Sequence, residues 1–436
     1  MPRFMRAGQA WEIELAGVYI HVIEGNAKTT RKFMSRAHAL AQYDIAIAQK
    51  VGEGFVEVPD DTPPAPEEDA FDVPPDDLDA LSVHADALQA RGDPRGEIMA
   101  LGIALERLGQ QAAGHKKIVR QLSRLLARHG KLLFEDLAPY AVAHVEGEEP
   151  ERRAALIATV RLGSLDAAAI KATTRVTLPD LYSGLRFLPA ARHLRQLVCA
   201  SPVPRGEMRE SPLPYTGVLD AMKKRGAPER LASLRLGAVD ERYYDQIELG
   251  DLDIVATAAP GLERLHLAGD GVRAGPTRFA RLRELVLEGP CANAGGLVIV
   301  AATVTDALEV LVAKAATQYP TGVDEAVLSI PHLRGLRALV LNDFGGGDLA
   351  PLLRHPALPR LERLELACND LGDAGALTIV DQAERFAHLA TFDLRGNGIS
   401  HDMVRRLHEA LPKAKVYGQH DPRREARQER YEAIEE

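Results

Sequence analysis

One pattern constrains this chain more than any other. Leu-x-x-Leu-x-Leu occurs in full at Leu231/Leu234/Leu236, Leu262/Leu265/Leu267, Leu282/Leu285/Leu287, Leu336/Leu339/Leu341 and Leu361/Leu364/Leu366, with degenerate copies at Leu194/Leu197/Cys199, Leu308/Leu311/Ala313 and Leu389/Phe392/Leu394. Successive copies start 20 to 37 residues apart. A unit that short cannot bury its own apolar face, so the copies must stack on one another. Alternation within each copy predicts one short strand per repeat, its leucines turned inward and the intervening residues turned to the opposite side. Stacked strands of this kind form a parallel sheet.

That placement defines a candidate binding face. Its exposed positions are Arg235, Arg264, His266, Glu284, Glu288, Val310, Val312, Asn342, Arg363, Glu365, Asp393 and Arg395. The face is mixed in sign, which suits a protein partner better than a polyanion. The best copy, Leu361-x-x-Leu364-x-Leu366-x-x-Asn369-x-Leu371-Gly372-Asp373-x-Gly375-Ala376, resembles the ribonuclease-inhibitor class of leucine-rich repeat. The resemblance implies an α/β solenoid over residues 155–418, beginning between Ala155 and Leu194. It also implies a helix of about Ala374 to Phe386 on the convex side and a partner-binding concave face. Asn369 and Asn397 stand where the family's Asn bonds neighbouring backbone groups. Asp270, Pro290 and Phe344 stand there in other copies, so the turns in the middle of the solenoid are expected to be loosened.

A small module precedes the repeats, over residues 1–58. Trp11, Ile13 and Leu15 alternate with Glu12 and Glu14, and Val18, Ile20 and Val22 alternate with Tyr19 and His21, which predicts a hairpin. Ser35 to Gln49 has helical spacing, with Ser35 able to cap, and Gly54 to Glu57 is expected as a closing strand. Trp11, Gly25, Lys32-Phe33, Lys50 and Gly54-Phe55 occupy places typical of the WGR domain, and on these the module resembles that family, although its turn reads Glu24-Gly25-Asn26 rather than Trp-Gly-Arg. The resemblance implies a small α+β fold and a second binding surface, which in nuclear poly(ADP-ribose) polymerases helps grip DNA ends.

Residues 59–77 are expected to be an extended linker. Between 59 and 80 there are six prolines and nine acidic residues and no basic one. Residues 78–154 should be helical. Leu88-x-Ala90-Arg91-Gly92-Asp93-Pro94-Arg95-Gly96-Glu97 makes a helix stop and restart, and with Leu125-Leu126-Ala127-Arg128-His129-Gly130 it resembles the repeat-companion domain of large bacterial multidomain proteins. A helix over 116–133 carries Lys117, Arg120, Arg124, Arg128 and Lys131 opposite an apolar side. Those five residues could contact a polyanion, which supports an alternative function as a nucleic-acid-associated regulator, or they could meet the acidic linker about forty residues earlier in the same chain. Residues 419–436 mix Arg and Glu as a charged tail.

Chemistry finds little foothold. The three cysteines, Cys199, Cys291 and Cys368, match neither a disulfide framework nor a paired-thiol metal site, and a reducing, cytoplasmic setting is expected. No His-Glu-x-x-His, Cys-x-x-Cys or Gly-x-Ser-x-Gly occurs, and the glycine-rich stretches miss phosphate-loop and dinucleotide spacing. No membrane span is expected, because the longest uncharged run includes Pro290 and Asn293. These readings converge on a bacterial, non-enzymatic scaffold without cofactor, metal or catalytic residues. Its protein partner and its oligomeric state are left open by the sequence.

Overall fold

Leucines spaced for inward-facing strands do form them. The structure, a computed structural model, describes residues 3–6, 9–16, 19–24, 27–32, 36–58, 76–109, 111–146, 154–200, 213–237, 247–305, 307–315 and 322–419. It divides into two compact units, Met1–Leu197 with Ala227–Arg230, and Val198–Gly226 with Leu231–Glu436.

The first unit opens with strands β1 (Arg3–Arg6), β2 (Gln9–Ala16), β3 (Tyr19–Glu24) and β4 (Ala27–Lys32), helix α1 (Arg36–Gly52) and strand β5 (Val56–Val58). They make one antiparallel sheet in the order β4-β3-β2-β1-β5. The expected β2–β3 hairpin is present, with Ile13 opposite Val22 and Leu15 opposite Ile20. Trp11, Ile13, Ile20, Ala39 and Phe55 form its core. The Lys50 ammonium lies 5.9 Å from the Trp11 ring centre and 5.0 Å from that of Phe55, and pairs with Glu24 at 3.1 Å. Three positions far apart in sequence are thereby tied by one cation. The expected turn at Gly25-Asn26, Phe33 and the Ser35 cap lie outside the described residues.

Most of the expected linker, residues 59–75, also lies outside them. Its last two acids have structural roles. Asp76 pairs with Arg230 at 2.6 Å, and Asp77 caps helix α2 (Leu78–Ala90) by accepting from the Ala80 amide at 2.9 Å. The stop and restart follow the sequence reading. Gly92 adopts φ 75°, Asp93 accepts from the Arg95 amide at 2.9 Å, and Pro94 opens α3 (Pro94–Leu108). Gly96 is required because a Cβ there would lie 2.7 Å from the Ala85 carbonyl oxygen. Helix α4 (His115–His129) then continues as a tighter 3-10 turn through Leu133, dividing the single helix expected over 116–133.

Strands β6 (Ala141–His144), β7 (Leu156–Arg161) and β8 (Ser164–Ile170) and helix α5 (Leu178–Phe187) complete this unit, ahead of β9 (Gln196–Cys199) at the division. The repeat region was expected to start as early as residue 155, but residues 156–170 form an antiparallel hairpin, β7–β8, rather than a repeat strand and helix. The cause is its turn. Leu162 and Gly163 both adopt positive φ, at 52° and 81°, as a two-residue hairpin turn demands.

In the second unit, strand and helix alternate: β10 (Leu213–Pro214), α6 (Thr216–Arg225), β11 (Ser233–Gly237), β12 (Ile247–Asp251), α7 (Leu252–Ala258), β13 (Arg264–Ala268), β14 (Asp270–Arg273), β15 (Glu284–Glu288), α8 (Ala294–Ala301), β16 (Val310–Lys314), α9 (Val323–Leu328), β17 (Ala338–Asn342), α10 (Ala350–Arg354), β18 (Arg363–Glu365), α11 (Gly372–Asp381), β19 (Thr391–Asp393), α12 (His401–Ala410) and β20 (Ala414–Lys415). Strands β11, β13, β15, β16, β17, β18, β19 and β20 are successive parallel neighbours. Leu234, Leu265, Leu285, Leu311, Leu339, Leu364 and Phe392 fall in one register row, all buried. A second small parallel sheet, β10-β12-β14, interrupts the regular succession. The expected helix at 374–386 is shorter, with α11 ending at Asp381 and a 3-10 turn following.

Where the strands end, the chain turns through left-handed backbone and leaves amides and carbonyls facing inward. Asn369 donates to the Leu341 carbonyl at 2.6 Å and accepts from the Phe344 amide at 2.8 Å. Asn397 donates to the Leu366 and Leu394 carbonyls at 2.8 Å and accepts from the Asn369 amide at 3.0 Å. Repeats without this Asn use other groups. The Cys291 thiol points at the Leu267 and Glu288 carbonyls, at 3.7 and 3.4 Å. The Tyr215 hydroxyl donates to the Cys199 carbonyl at 2.9 Å and accepts from the Gly237 amide at 3.1 Å. Gln419, expected to begin a tail, is the last rung. It accepts from the Asn397 amide at 2.9 Å and donates to Leu394 and Val416 at 2.9 and 3.0 Å. Residues 420–436 lie outside the described residues.

The other end of the strands has its own links. Nε2 of His332, His355 and His388 each lies 3.0 Å from a carbonyl oxygen 25 to 31 residues earlier, of Ala301, Ile330 and Leu358 respectively. A carbonyl can only accept, so each ring donates from Nε2.

Two stability changes follow from these contacts. Asn397→Ala should cost about 4 kcal/mol in denaturant unfolding, because it orphans buried amides and carbonyls together. Gly96→Ala should cost about 2 kcal/mol, against about 1 kcal/mol for Gly92→Ala, where only the left-handed backbone objects.

Candidate functional site

Strand alternation along β11, β13, β15, β16, β17, β18 and β19 puts the residues between the leucines, and those at the strand ends, on the sheet face opposite the leucines. Register sets them in rows. One row runs Arg264, Glu284, Val310, Ala338, Arg363, Thr391. The next runs Arg235, His266, Val286, Val312, Val340, Glu365, Asp393. The third contains Ala268, Glu288, Lys314 and Asn342. All the predicted strand residues therefore share one face, and Val286, Ala338, Val340 and Lys314 join them. Those four were legible in principle, since each stands next to a leucine of the pattern or closes its strand.

The middle of this face is apolar. Val286, Val310 and Val312 are half-buried, and Ala338 and Val340 are buried. The charges lie to either side. On one side Glu288, itself buried, accepts from His266 Nε2 at 2.7 Å and meets Lys314 at 3.1 Å and Arg235 at 3.4 Å. The hydrogen bond from His266 does most to hold its carboxyl down, at about 2, with Lys314 adding to it against the opposing effect of burial. Arg264 and Glu284, 3.9 Å apart, form a looser, more exposed pair.

On the other side Arg363 donates to Glu365 at 2.8 Å. Arg395, just past β19, grips the fully buried Asp393 carboxylate through Nε at 2.9 Å and a terminal nitrogen at 2.6 Å, and stacks on Tyr417 at 5.4 Å. Asn342 turns its side-chain oxygen to the Ala367 amide at 3.0 Å. Opposite charges on this face are thus engaged with one another, and Glu288, Asp393 and Asn342 serve the sheet before they serve any partner.

Two of the thiols, Cys199 and Cys291, belong to the interior, and Cys368 is half-buried. Burial pushes the Cys199 and Cys291 thiols up to about 12, and it also raises Cys368, helped by Asp343. Among the described residues no three His, Cys, Asp or Glu side chains gather as a metal-binding group, and no helix is long and apolar enough to cross a membrane. The five predicted polyanion contacts are on another surface: Lys117, Arg120, Arg124 and Arg128 line α4, Lys131 follows it, and all are exposed.

No protein-family model matches the chain, and no curated protein is significantly similar to it in sequence. Among solved structures, a protein from Bacteroides fragilis is 17% identical over 97% of this chain and 97% of its own, with a TM-score of 0.44. The leucine-rich repeat-containing protein LegL7 from Legionella pneumophila is 14% identical over 57% of this chain and 81% of its own, with a TM-score of 0.32.

The Glu288 cluster sets a pH dependence. A carboxyl held near 2 in the fold and titrating at its ordinary 4.5 in the unfolded chain contributes stability that is present above pH 4.5 and is lost as pH falls toward 2. Glu288→Gln should lower stability at neutral pH, and its unfolding curve should converge on that of the parent chain near pH 2.

Proposed function

We infer that this chain is a non-enzymatic scaffold whose leucine-rich repeat solenoid takes a protein partner on its concave, open face. One observation carries the reading: a valine patch at the centre of that face, bordered on both sides by charges already satisfied within the protein. Partner recognition of this kind draws its energy from a dry apolar centre, while rim charges set orientation. The neutralised pairs spare a partner the cost of desolvating lone charges.

The sheet, rather than a pocket, is the feature presented here, which favours a macromolecule over a small substrate. The WGR-like module at residues 1–58 is a second surface on the same chain, in keeping with a bridging role in the cytoplasm of a bacterium.

The test is affinity capture from nuclease-treated native lysate with the full chain and with Val310→Glu/Val312→Glu. A specific protein held by the first should be lost from the second, with the melting temperature of the two within a few degrees. Retention of that protein by the double variant would remove the open face from consideration.

A further inference from the structure

Helix α4 is built against its own electrostatics. Leu122 and Leu126 bury one side, and the other side presents Lys116, Lys117, Arg120, Gln121, Arg124, Ala127 and Arg128 to solvent. Lys117, Arg120, Arg124, Arg128 and Lys131 step by three and four residues, which at 1.5 Å per residue makes a row roughly 20 Å long. Like charges at this spacing repel, and Lys116 and Lys117 sit at the helix end where positive charge is least favourable. Gly114, at the cap position, offers no side chain to the free amides there.

Among the described residues nothing offsets this. None of the five has a hydrogen-bond or ion-pair partner among the described residues. Elsewhere in the same unit five arginines are matched: Arg95 with Asp93, Arg107 with Asp79, Arg161 with Glu106, Arg195 with Asp166 and Arg230 with Asp76. The chain between Glu106 and Glu135 contains no acidic residue at all, so no local rearrangement can supply a counter-charge.

We propose that this unpaired cationic row on α4 is a sequence-independent docking surface for the phosphate backbone of duplex nucleic acid. The chemistry selects that partner from other anions. A duplex presents one negative charge per about 1.7 Å of its axis, so four cations along α4 and Lys131 in the turn after it can meet several phosphates in succession. Three of the five are arginines, whose planar forks hold phosphate oxygens in pairs. The exposed side of α4 has no aromatic residue on which unpaired bases could stack. On α4 itself Leu122 and Leu126 are buried and Ile118, Val119 and Leu125 half-buried, so although Leu132 beside Lys131 is exposed, the row offers little apolar surface to a lipid bilayer. A row without a pocket gains from many phosphates in succession rather than from one. This surface is independent of the valine face, and either can fail without the other.

The experiment is fluorescence anisotropy of the full chain with a labelled duplex of about 20 base pairs and arbitrary sequence, titrated at a series of salt concentrations. Five phosphate contacts should give a slope of about −4.5 in log affinity against log salt, and Arg120→Gln/Arg124→Gln/Arg128→Gln should reduce it to about −2. Charge reversal at the same three positions should weaken binding by at least about 100-fold at low salt. Thermal unfolding should show the variants as stable as the parent or more so, since repulsion is relieved. Should the triple variants fail to fold, Arg124→Gln alone should lower the slope by about one. Absence of duplex binding at 50 mM salt would overturn the proposal. So would an unchanged slope in the variants, or α4-dependent binding to phosphatidylserine vesicles with none to the duplex.

Discussion

The second unit depends on satisfying the backbone where each strand turns out of the sheet. After β17, β18, β19 and β20 the chain turns through left-handed residues at equivalent places, Asp343, Cys368, Gly396 and Gly418, with φ of 66°, 58°, 68° and 64°. That geometry strands an amide or a carbonyl in a place water does not reach, and each must find a partner in the neighbouring repeat. Asn369 and Asn397 do this with both ends of an amide. Cys291, Tyr215 and Gln419 do it with a thiol, a hydroxyl and a longer amide. The chemistry varies while the role stays constant. Stacking is thereby a series of nearest-neighbour contracts rather than one shared core.

The same nearest-neighbour logic organises the open face. A residue there lies beside its equivalents about 25 residues earlier and later, so opposite charges one repeat apart meet across the sheet. Glu288 draws His266 and Lys314 from adjacent strands and Arg235 from one strand further. What remains without internal electrostatic obligations is the valine patch. Helix α4 shows the opposite condition, charges with no neighbour among the described residues to absorb them. The protein thus offers one surface where charge is consumed internally and another where it is left outward.

Sequence reasoning reached the repeats, the β2–β3 hairpin, the α2–α3 restart and the two asparagines because each is encoded over a few consecutive residues. It missed the rungs at Cys291 and Tyr215 and the links at His332, His355 and His388. Each of those acts on a carbonyl 16 to 31 residues away, and neither a cysteine nor a histidine advertises that task by type or spacing. It left the start of the repeats open between Ala155 and Leu194, because alternating apolar residues suit a hairpin strand and a repeat strand equally and Leu162 gives no warning of its positive φ.

By itself, then, the sequence determined that leucines would line one side of a stacked sheet and that a defined set of residues would share the other, since side-chain alternation is a property of every strand. It likewise determined that α4 would have a basic side, since helical periodicity is local. Tertiary structure alone decided which of those charges are consumed and which stay available. Register brought His266, Lys314 and Arg235 to Glu288, while among the described residues no carboxylate reached Arg120, Arg124 or Arg128. Pairing depends on distances between residues tens of positions apart, and these exist only once the repeats have stacked.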